Sequence, residues 1–150
     1  MLTTTSEYAL RALIHLARRP KESSILGRDL AEQGHIPRDY LVKILVALRN
    51  VGIVEAVRGQ GGGYRLVKPA EQIPLIDVVE VFEGIRSKPG CLLGENPDCS
   101  DEHPCSAHAA WKQVHGAYME FLTTKTIADI AMPTARPLVP LAANSSGGPM

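Results

Sequence analysis

Apolar residues recur at helical spacing in four stretches of the first 84 residues. The first runs roughly over 6–19, where Pro20 ends it, and the second over about 26–33, where Gly34 offers a C-terminal stop. The third covers 36–50, with Pro37 suited to its first turn. Its apolar stripe consists of Leu41, Ile44, Leu45 and Leu48. The basic residues of this stretch lie mostly off that stripe. Two helices joined by a short turn, the second basic on its outer side, predict a helix-turn-helix.

Two short β-type runs follow this motif directly and enclose a glycine-rich tip. They lie within 51–67, and Gly59 and 61–63 permit the positive φ angles of a tight reversal. A helix-turn-helix followed at once by a hairpin is the order of a winged helix. A phosphate cradle is disfavoured, because the glycines lack a Gly-Lys-Ser/Thr sequence and no helix begins directly after them. The fold class is therefore mainly α with a small β-hairpin wing.

The rest of the chain contains two more helical stretches. One covers 75–83 and ends at Gly84; the other is long, covers about 106–124, and is followed by one further turn at 127–130. The apolar stripe of the long helix is either core or the seam of a dimer, and consists of Ala107, Ala110, Trp111, Val114, Tyr118, Phe121 and Leu122. We expect a DNA-binding domain over 1–84, a cysteine-rich loop over 85–105, a dimerisation helix over 106–130 and a disordered tail over 131–150, rich in Pro, Ser and Gly.

Charge is unevenly distributed along this neutral chain. Residues 36–68 contain six basic and two acidic side chains, whereas 91–108 contain four acidic side chains and no Lys or Arg. The basic segment coincides with the helix-turn-helix and the wing, which makes it the candidate electrostatic footprint on DNA. The acidic segment would be repelled by DNA, so we expect it to face away.

All three cysteines lie in the acidic segment, with spacing C-x7-C-x5-C-x2-H. They are Cys91, Cys99 and Cys105, and His108 follows the last one by one helical turn. Four candidate ligands are thus available, although the tight C-x2-C pairs of a zinc knuckle are missing. An iron–sulfur cluster, a zinc ion and three thiols without a ligand remain the alternatives.

Neither an enzyme nor a membrane protein is predicted. The chain lacks a Ser/His/acid set, paired carboxylates in an apolar setting and a nucleotide fingerprint. No apolar run reaches the roughly 20 residues that span a bilayer, and the N-terminus does not read as a signal peptide. Clustered cysteines without an export signal favour a reducing cytoplasm.

Four segments together resemble the IscR/NsrR family of winged-helix regulators (the Rrf-two family). They are Tyr-Ala-Leu-Arg at 8–11, Tyr-Leu-Val-Lys-Ile-Leu at 40–45, Val-Arg-Gly-Gln-Gly-Gly-Gly-Tyr-Arg-Leu at 57–66 and Cys-Ser-Ala-His-Ala-Ala-Trp at 105–111. The resemblance covers about residues 1–130. It implies a homodimeric transcription factor, mainly a repressor, whose affinity for a double-stranded operator changes with the state of a 2Fe–2S or 4Fe–4S cluster. Redox state, nitric oxide or iron and cluster supply would be the signal.

The resemblance also implies site residues. The three cysteines match the family's cluster ligands, and the fourth ligand is either His108 or an acidic residue near the N-terminus of the other subunit, for which Glu7 is the nearest match. The implied DNA-reading residues lie on the second helix of the motif and in the wing: Arg38, Tyr40, Lys43, Arg58, Gln60, Gly61 and Arg65. Two rivals remain: a zinc-bound or cluster-free DNA-binding module, and an iron–sulfur electron carrier or enzyme.

Overall fold

A computed structural model describes residues 2–87, 91–93 and 99–132. Within these ranges the fold is mainly helical with one antiparallel hairpin, as the sequence predicted. Two short 3-10 helices, Ala70–Gln72 and Ile85–Ser87, flank the fourth α-helix. The α-helices and strands are α1 (Thr4–Ala17), α2 (Gly27–Gly34), α3 (Arg38–Asn50), β1 (Val54–Val57), β2 (Gly63–Leu66), α4 (Leu75–Glu83), α5 (His108–Thr124) and α6 (Ile127–Ala131).

Helix α1 begins two residues earlier than its apolar pattern predicts, because Thr3 caps it. The Thr3 hydroxyl accepts a hydrogen bond from the Ser6 backbone N–H at 3.2 Å. Ser6 is itself fully buried, and its hydroxyl donates to the carboxylate of Glu83 at the end of α4. This bond satisfies a buried polar group and ties the start of α1 to the end of α4.

The turn of the helix-turn-helix differs from the prediction in one residue. Gly34 is the last residue of α2, and His35 adopts the left-handed conformation at φ 52°. A Cβ at Gly34 would lie 3.0 Å from Cδ1 of Ile36, so a larger residue there would require the Ile36 side chain to shift slightly. The Arg11 guanidinium donates to the carbonyls of Gly34 and His35, each at 3.2 Å, and so caps the orphan carbonyls of α2.

One hydrophobic core joins α1, α3 and α4. The predicted stripe of α3 is buried as expected, although Pro37 stands just before the helix and not inside it. Helix α1 packs against α2, α3 and α4, and α4 also contacts α5. The buried side chains of α1 and α4 in this core are Ala9, Leu10, Ala12, Leu13, Leu16, Leu75, Ile76, Val78 and Val79.

The tip-side end of strand β2 is attached to the connection between α1 and α2. Backbone hydrogen bonds join Ile25 N–H to the Tyr64 carbonyl at 3.0 Å and Tyr64 N–H to the Ile25 carbonyl at 2.8 Å. This approach requires glycine at position 63, since a Cβ there would lie 2.2 Å from the Ile25 carbonyl oxygen. The bridge was not predicted, and it fixes the tip-side half of the wing against the segment that leads into α2.

The C-terminal helices are fixed to the core at their junction. The Leu75 N–H donates to the Lys125 carbonyl and the Ile127 N–H to the Ile73 carbonyl, each at 2.9 Å. The predicted turn after the long helix is helix α6, which a Thr126/Asp129 capping box starts. Of the predicted tail, Ala131 and Met132 are described and 133–150 lie outside the described residues. No described helix is long and apolar enough to cross a membrane.

The apolar stripe of α5 is divided between two environments. Leu122 is buried, and Tyr118 and Met119 pack at the edge of the core. Val114 and Phe121, in contrast, are 52% and 37% exposed. Most of the stripe is therefore not core of a single chain.

Candidate metal centre and nucleic-acid interface

The three cysteines converge although they are spread over fifteen residues of sequence. The sulfurs of Cys91, Cys99 and Cys105 all lie within 4.8 Å of one another, and all three residues are half-buried. Cys91 lies in the connection that follows α4, whereas Cys105 lies three residues before α5 begins. We call these three residues the thiol cluster. It could hold a thiophilic metal because three soft ligands face one point.

His108, the first residue of α5, lies beside the thiol cluster but outside its tightest set. Its Nδ1 is 3.3 Å from the Cys99 sulfur, and its side chain is 14% exposed. The start of α5 therefore carries a fourth donor to the edge of the cluster. His103, the competing histidine, is exposed, and its backbone N–H donates to the Ser100 hydroxyl in the loop.

The other ring nitrogen of His108 has an acidic partner that sequence reasoning missed. Nε2 of His108 is 2.9 Å from Oδ1 of Asp101, and Nζ of Lys112 is 2.6 Å from Oδ2 of the same carboxylate. Hydrogen bonds from Lys112 and then from His108 lower the pKa of Asp101. No spacing rule in the sequence pairs Asp101 with both residues of α5.

The pKa of the Cys99 thiol is set by opposing effects. A hydrogen bond from the backbone of Cys105 lowers the pKa of Cys99, but desolvation and hydrogen bonds with the side chains of Cys105 and Cys91 outweigh it. The net effect raises the pKa of Cys99. Metal binding here must therefore release protons, because the thiolate is the ligand.

Glu7, the alternative fourth ligand, lies in the first turn of α1 and is exposed. Among the described residues of one chain, the group that could hold a metal ion consists of the three cysteines and does not include Glu7. The prediction placed Glu7 in the other subunit's site, so this position neither supports nor excludes it.

The predicted DNA-reading residues of α3 lie on its exposed side. Arg38, Tyr40 and Lys43 are all exposed, and the Tyr40 ring also packs edge-on against Tyr8 of α1 at 5.7 Å between centroids. Sequence reasoning missed Val42, which lies between them and is 62% exposed. Its position off the buried stripe was the signal that could have found it.

The predicted wing residues fall into two groups. Arg58, Gln60 and Gly61 are exposed in the segment 58–62, which we call the wing tip; Gly61 there has φ 73°. Arg65 lies lower on β2, opposite Glu55 of β1, and its guanidinium bonds that carboxylate. Part of its charge is thus neutralised within the hairpin, whereas Arg58 has no described ion pair.

A family model described as "Rrf2: Iron-dependent Transcriptional regulator" matches residues 2–133. The chain belongs to the Rrf2 family of transcriptional regulators. This confirms the resemblance inferred from its motifs. Its relatives include the HTH-type transcriptional regulator NsrR of Bacillus licheniformis, which is 31% identical over 131 residues, or 87% of this chain and 92% of that protein.

Solved structures agree with this assignment. CymR, the global cysteine regulator of B. subtilis, superposes with a TM-score of 0.72 at 25% identity, covering 87% of this chain and 95% of that one. T. potens IscR gives a TM-score of 0.68 at 27% identity, covering 87% and 85%. The prediction of a winged-helix fold is confirmed. So is the prediction that the protein is a DNA-binding transcriptional regulator and not an enzyme.

Proposed function

We propose that this Rrf2-family regulator is a homodimeric repressor whose affinity for its operator depends on an iron–sulfur cluster. Cys91, Cys99, Cys105 and His108 would hold the cluster. The observation that carries the proposal is the convergence of three thiols within 4.8 Å, beside an imidazole, at the start of a long helix. We propose 1–84 as the DNA-binding domain, 85–105 as the sensing loop, 106–130 as the dimerisation region and 131–150 as a tail.

The donor set suits the cofactor. Iron–sulfur clusters take thiolate ligands, and imidazole replaces thiolate at some iron sites. When bound, a cluster would supply a group that oxidation or nitrosylation can dismantle. Its state would thereby report redox state, nitric oxide, or iron and cluster supply.

Ligands on both sides of the loop give the cluster a mechanical route to the DNA-binding surface. Cys91 follows α4 and Cys105 precedes α5, and α4 packs against α1, α3 and α5. Ligation would therefore tie the start of α5 to the end of α4. Helix α4 in turn packs against α3, the recognition helix of the helix-turn-helix. If the two states of the protein differ in the pose of α3 and the wing, a bias of about 1.4 kcal/mol changes operator affinity tenfold.

The exposed face of α5 supports the homodimer. Val114 and Phe121 lie seven residues apart on one face and are 52% and 37% exposed in the described chain. A second copy would bury both, and two-fold symmetry would place two recognition helices about one turn of DNA apart, roughly 34 Å. Arg38, Tyr40 and Lys43 would then enter adjacent major grooves.

The wing residues would contact the backbone or the minor groove. Arg58 is exposed at the wing tip and carries a charge that a phosphate can neutralise. Gln60 and Gly61 would sit beside it, and Arg65 would contribute less because Glu55 holds it.

A structural zinc ion is the second candidate. Sulfurs bound to one tetrahedral ion at about 2.3 Å lie roughly 4 Å apart, which matches the compact thiol cluster. Ligands on different irons of a cluster lie farther apart, so a cluster would require the sulfurs to spread. In this case the regulator would bind DNA independently of redox state.

Anaerobic purification tests the two candidates. We expect a brown protein that contains iron and acid-labile sulfide, and a Cys105→Ser variant that is colourless; Ser106→Ala is the matched control and should stay brown. An operator selected from random duplexes should then bind with different affinity before and after nitric oxide treatment. A colourless wild type with stoichiometric zinc would overturn the cluster proposal.

The fourth ligand has its own comparison. We expect His108→Ala to lose or destabilise the cluster and Glu7→Ala to keep it, both measured by visible absorbance during exposure to air. The opposite pair of results would indicate a ligand shared across the dimer.

A further inference from the structure

We propose that Asp101 is a positioning residue for the metal centre, which holds His108 in the one tautomer that presents Nδ1 to the thiol cluster. The inference rests on the proposed metal site. It extends that site by one residue outside the ligand set and assigns the ligating atom of His108.

The geometry fixes which nitrogen carries the proton. A neutral imidazole has one N–H donor and one acceptor nitrogen. Since the Asp101 carboxylate can only accept, and lies 2.9 Å from Nε2, the proton belongs on Nε2. Nδ1 then keeps its lone pair, 3.3 Å from the Cys99 sulfur. A metal held by the thiols would find an acceptor nitrogen already facing it.

Lys112 completes the arrangement from the same helix. It lies one turn beyond His108 on α5, and its ammonium group is 2.6 Å from Oδ2 of Asp101. The carboxylate therefore bridges two successive turns of α5. This double attachment fixes an exposed acid of the cysteine loop against the helix that carries the histidine ligand.

A solvated acid would not have this geometry. Glu102 is adjacent in sequence and also carries a carboxylate, but it has no hydrogen bond or ion pair within the described part of the chain. Asp101 instead uses each oxygen for a different residue of α5. A carboxylate behind a ligating histidine orients the ring and raises its basicity, and its loss typically weakens metal binding by about 10- to 100-fold.

Cobalt binding to the reduced apo-protein tests this without a loaded cluster. Co²⁺ reports thiolate and imidazole ligands through its ligand-field absorption. We expect Asp101→Ala to weaken Co²⁺ binding by about tenfold or more and to shift the absorption bands. Asp101→Asn should be intermediate, because its carbonyl oxygen still accepts from Nε2–H. Glu102→Gln removes the same charge at the neighbouring position, and its Co²⁺ affinity should stay within about twofold of wild type.

A second readout separates positioning from general structure. In the holo-protein, the hyperfine coupling of the histidine nitrogen to the paramagnetic cluster should change in Asp101→Ala and not in Glu102→Gln. Circular dichroism should show unchanged helix content in both. Equal Co²⁺ affinity and unchanged spectra for Asp101→Ala would overturn the positioning role while leaving the metal site intact. A wild type that binds no Co²⁺ would instead overturn the metal site itself.

Discussion

The two regions that we propose for DNA binding and for sensing differ in how much apolar surface they bury. Residues 2–84 bury one continuous apolar core, in which Leu13, Leu30 and Leu48 are completely inaccessible. In the segments 91–93 and 99–124, Leu122 is the one side chain that is fully buried in the core, although α5 alone has seventeen residues. The first region is held by its own side chains. In the proposed function, the second would be held by groups outside the single chain, which its thiols, its imidazole and the apolar face of α5 would contact.

This difference suits a sensor. A region stabilised by burial changes little when a ligand leaves, whereas a region stabilised by ligation and subunit contact can be altered by removing either. Sub-global stability commonly varies in this way within one protein. The proposed DNA-binding region would then keep its conformation, while a change in the proposed sensing region alters its position.

The largest effect should come from truncating a leucine in the DNA-binding core. Leu13→Ala leaves a cavity among α1, α3 and α4 and should cost about 2–5 kcal/mol of unfolding free energy. Leu92→Ala removes the same atoms from a side chain of the sensing loop that is 54% exposed, and should cost less than about 0.5 kcal/mol. Urea unfolding of the metal-free protein at fixed concentration measures both. Equal losses would mean that the two regions do not differ as described.

The next effect concerns the exposed face of α5. Val114→Glu places a charge in the proposed seam between two copies and should weaken dimerisation by about thirtyfold or more, roughly 2 kcal/mol. Gln113→Glu adds the same charge one position away, on an exposed polar residue, and is the control. Sedimentation velocity across a concentration series measures the equilibrium. A Val114→Glu protein that remains dimeric would place the seam elsewhere.

Sequence periodicity predicted the proposed DNA-binding region well, because the spacing of apolar residues along each helix determines which side chains are buried there. The stripe of α3 and the left-handed end of α4 at Gly84 both follow from local spacing. The bridge between Ile25 and Tyr64 does not, because the two residues are distant in sequence and Ile25 has no strand pattern around it. The end of α2 also differs from the prediction: His35, and not Gly34, has the positive φ that follows the helix.

The sensing region was predictable in its residue types but not in its geometry. Three cysteines in one loop indicate a metal site at any reasonable folding of that loop. The carboxylate that holds His108 depends on how the loop crosses α5, which no periodic pattern encodes. Likewise, the stripe of α5 predicted an apolar face, but its division between Leu122 in the core and exposed Val114 required the packing of α4 against it.

The two arginines of the wing differ in their ion pairs. Arg58 has none within the described residues, whereas Arg65 is paired with Glu55. Arg58→Ala should weaken operator binding about tenfold, or 1.4 kcal/mol, and reduce the salt dependence of log K by about one. Arg65→Ala should weaken it less than about threefold, because Glu55 already holds that guanidinium. Fluorescence anisotropy at several salt concentrations measures both slopes. A larger effect for Arg65 would mean that its ion pair with Glu55 opens on DNA.

The smallest effect concerns an apolar residue within the basic surface of α3. Val42 is 62% exposed, more than Tyr40 at 49%, on the same side of α3 as Lys43, so we expect it to contact a thymine methyl group in the major groove. Replacing single thymines of the selected operator with uracil removes only that methyl group. One such position should weaken wild-type binding by about 0.8 kcal/mol, or fourfold, as for one buried methylene.

The same substitution should have no effect on Val42→Ala, so that the two changes couple in a double-mutant cycle. Val51→Ala, at a valine that is 51% exposed just beyond the end of α3, provides the control and should respond to uracil as the wild type does. If every thymine-to-uracil change weakens Val42→Ala as much as wild type, Val42 does not read the operator. Specificity would then rest with Arg38 and Lys43, whose charges also serve the phosphate backbone. The recognition helix would in that case have little means of distinguishing A·T from G·C by apolar contact.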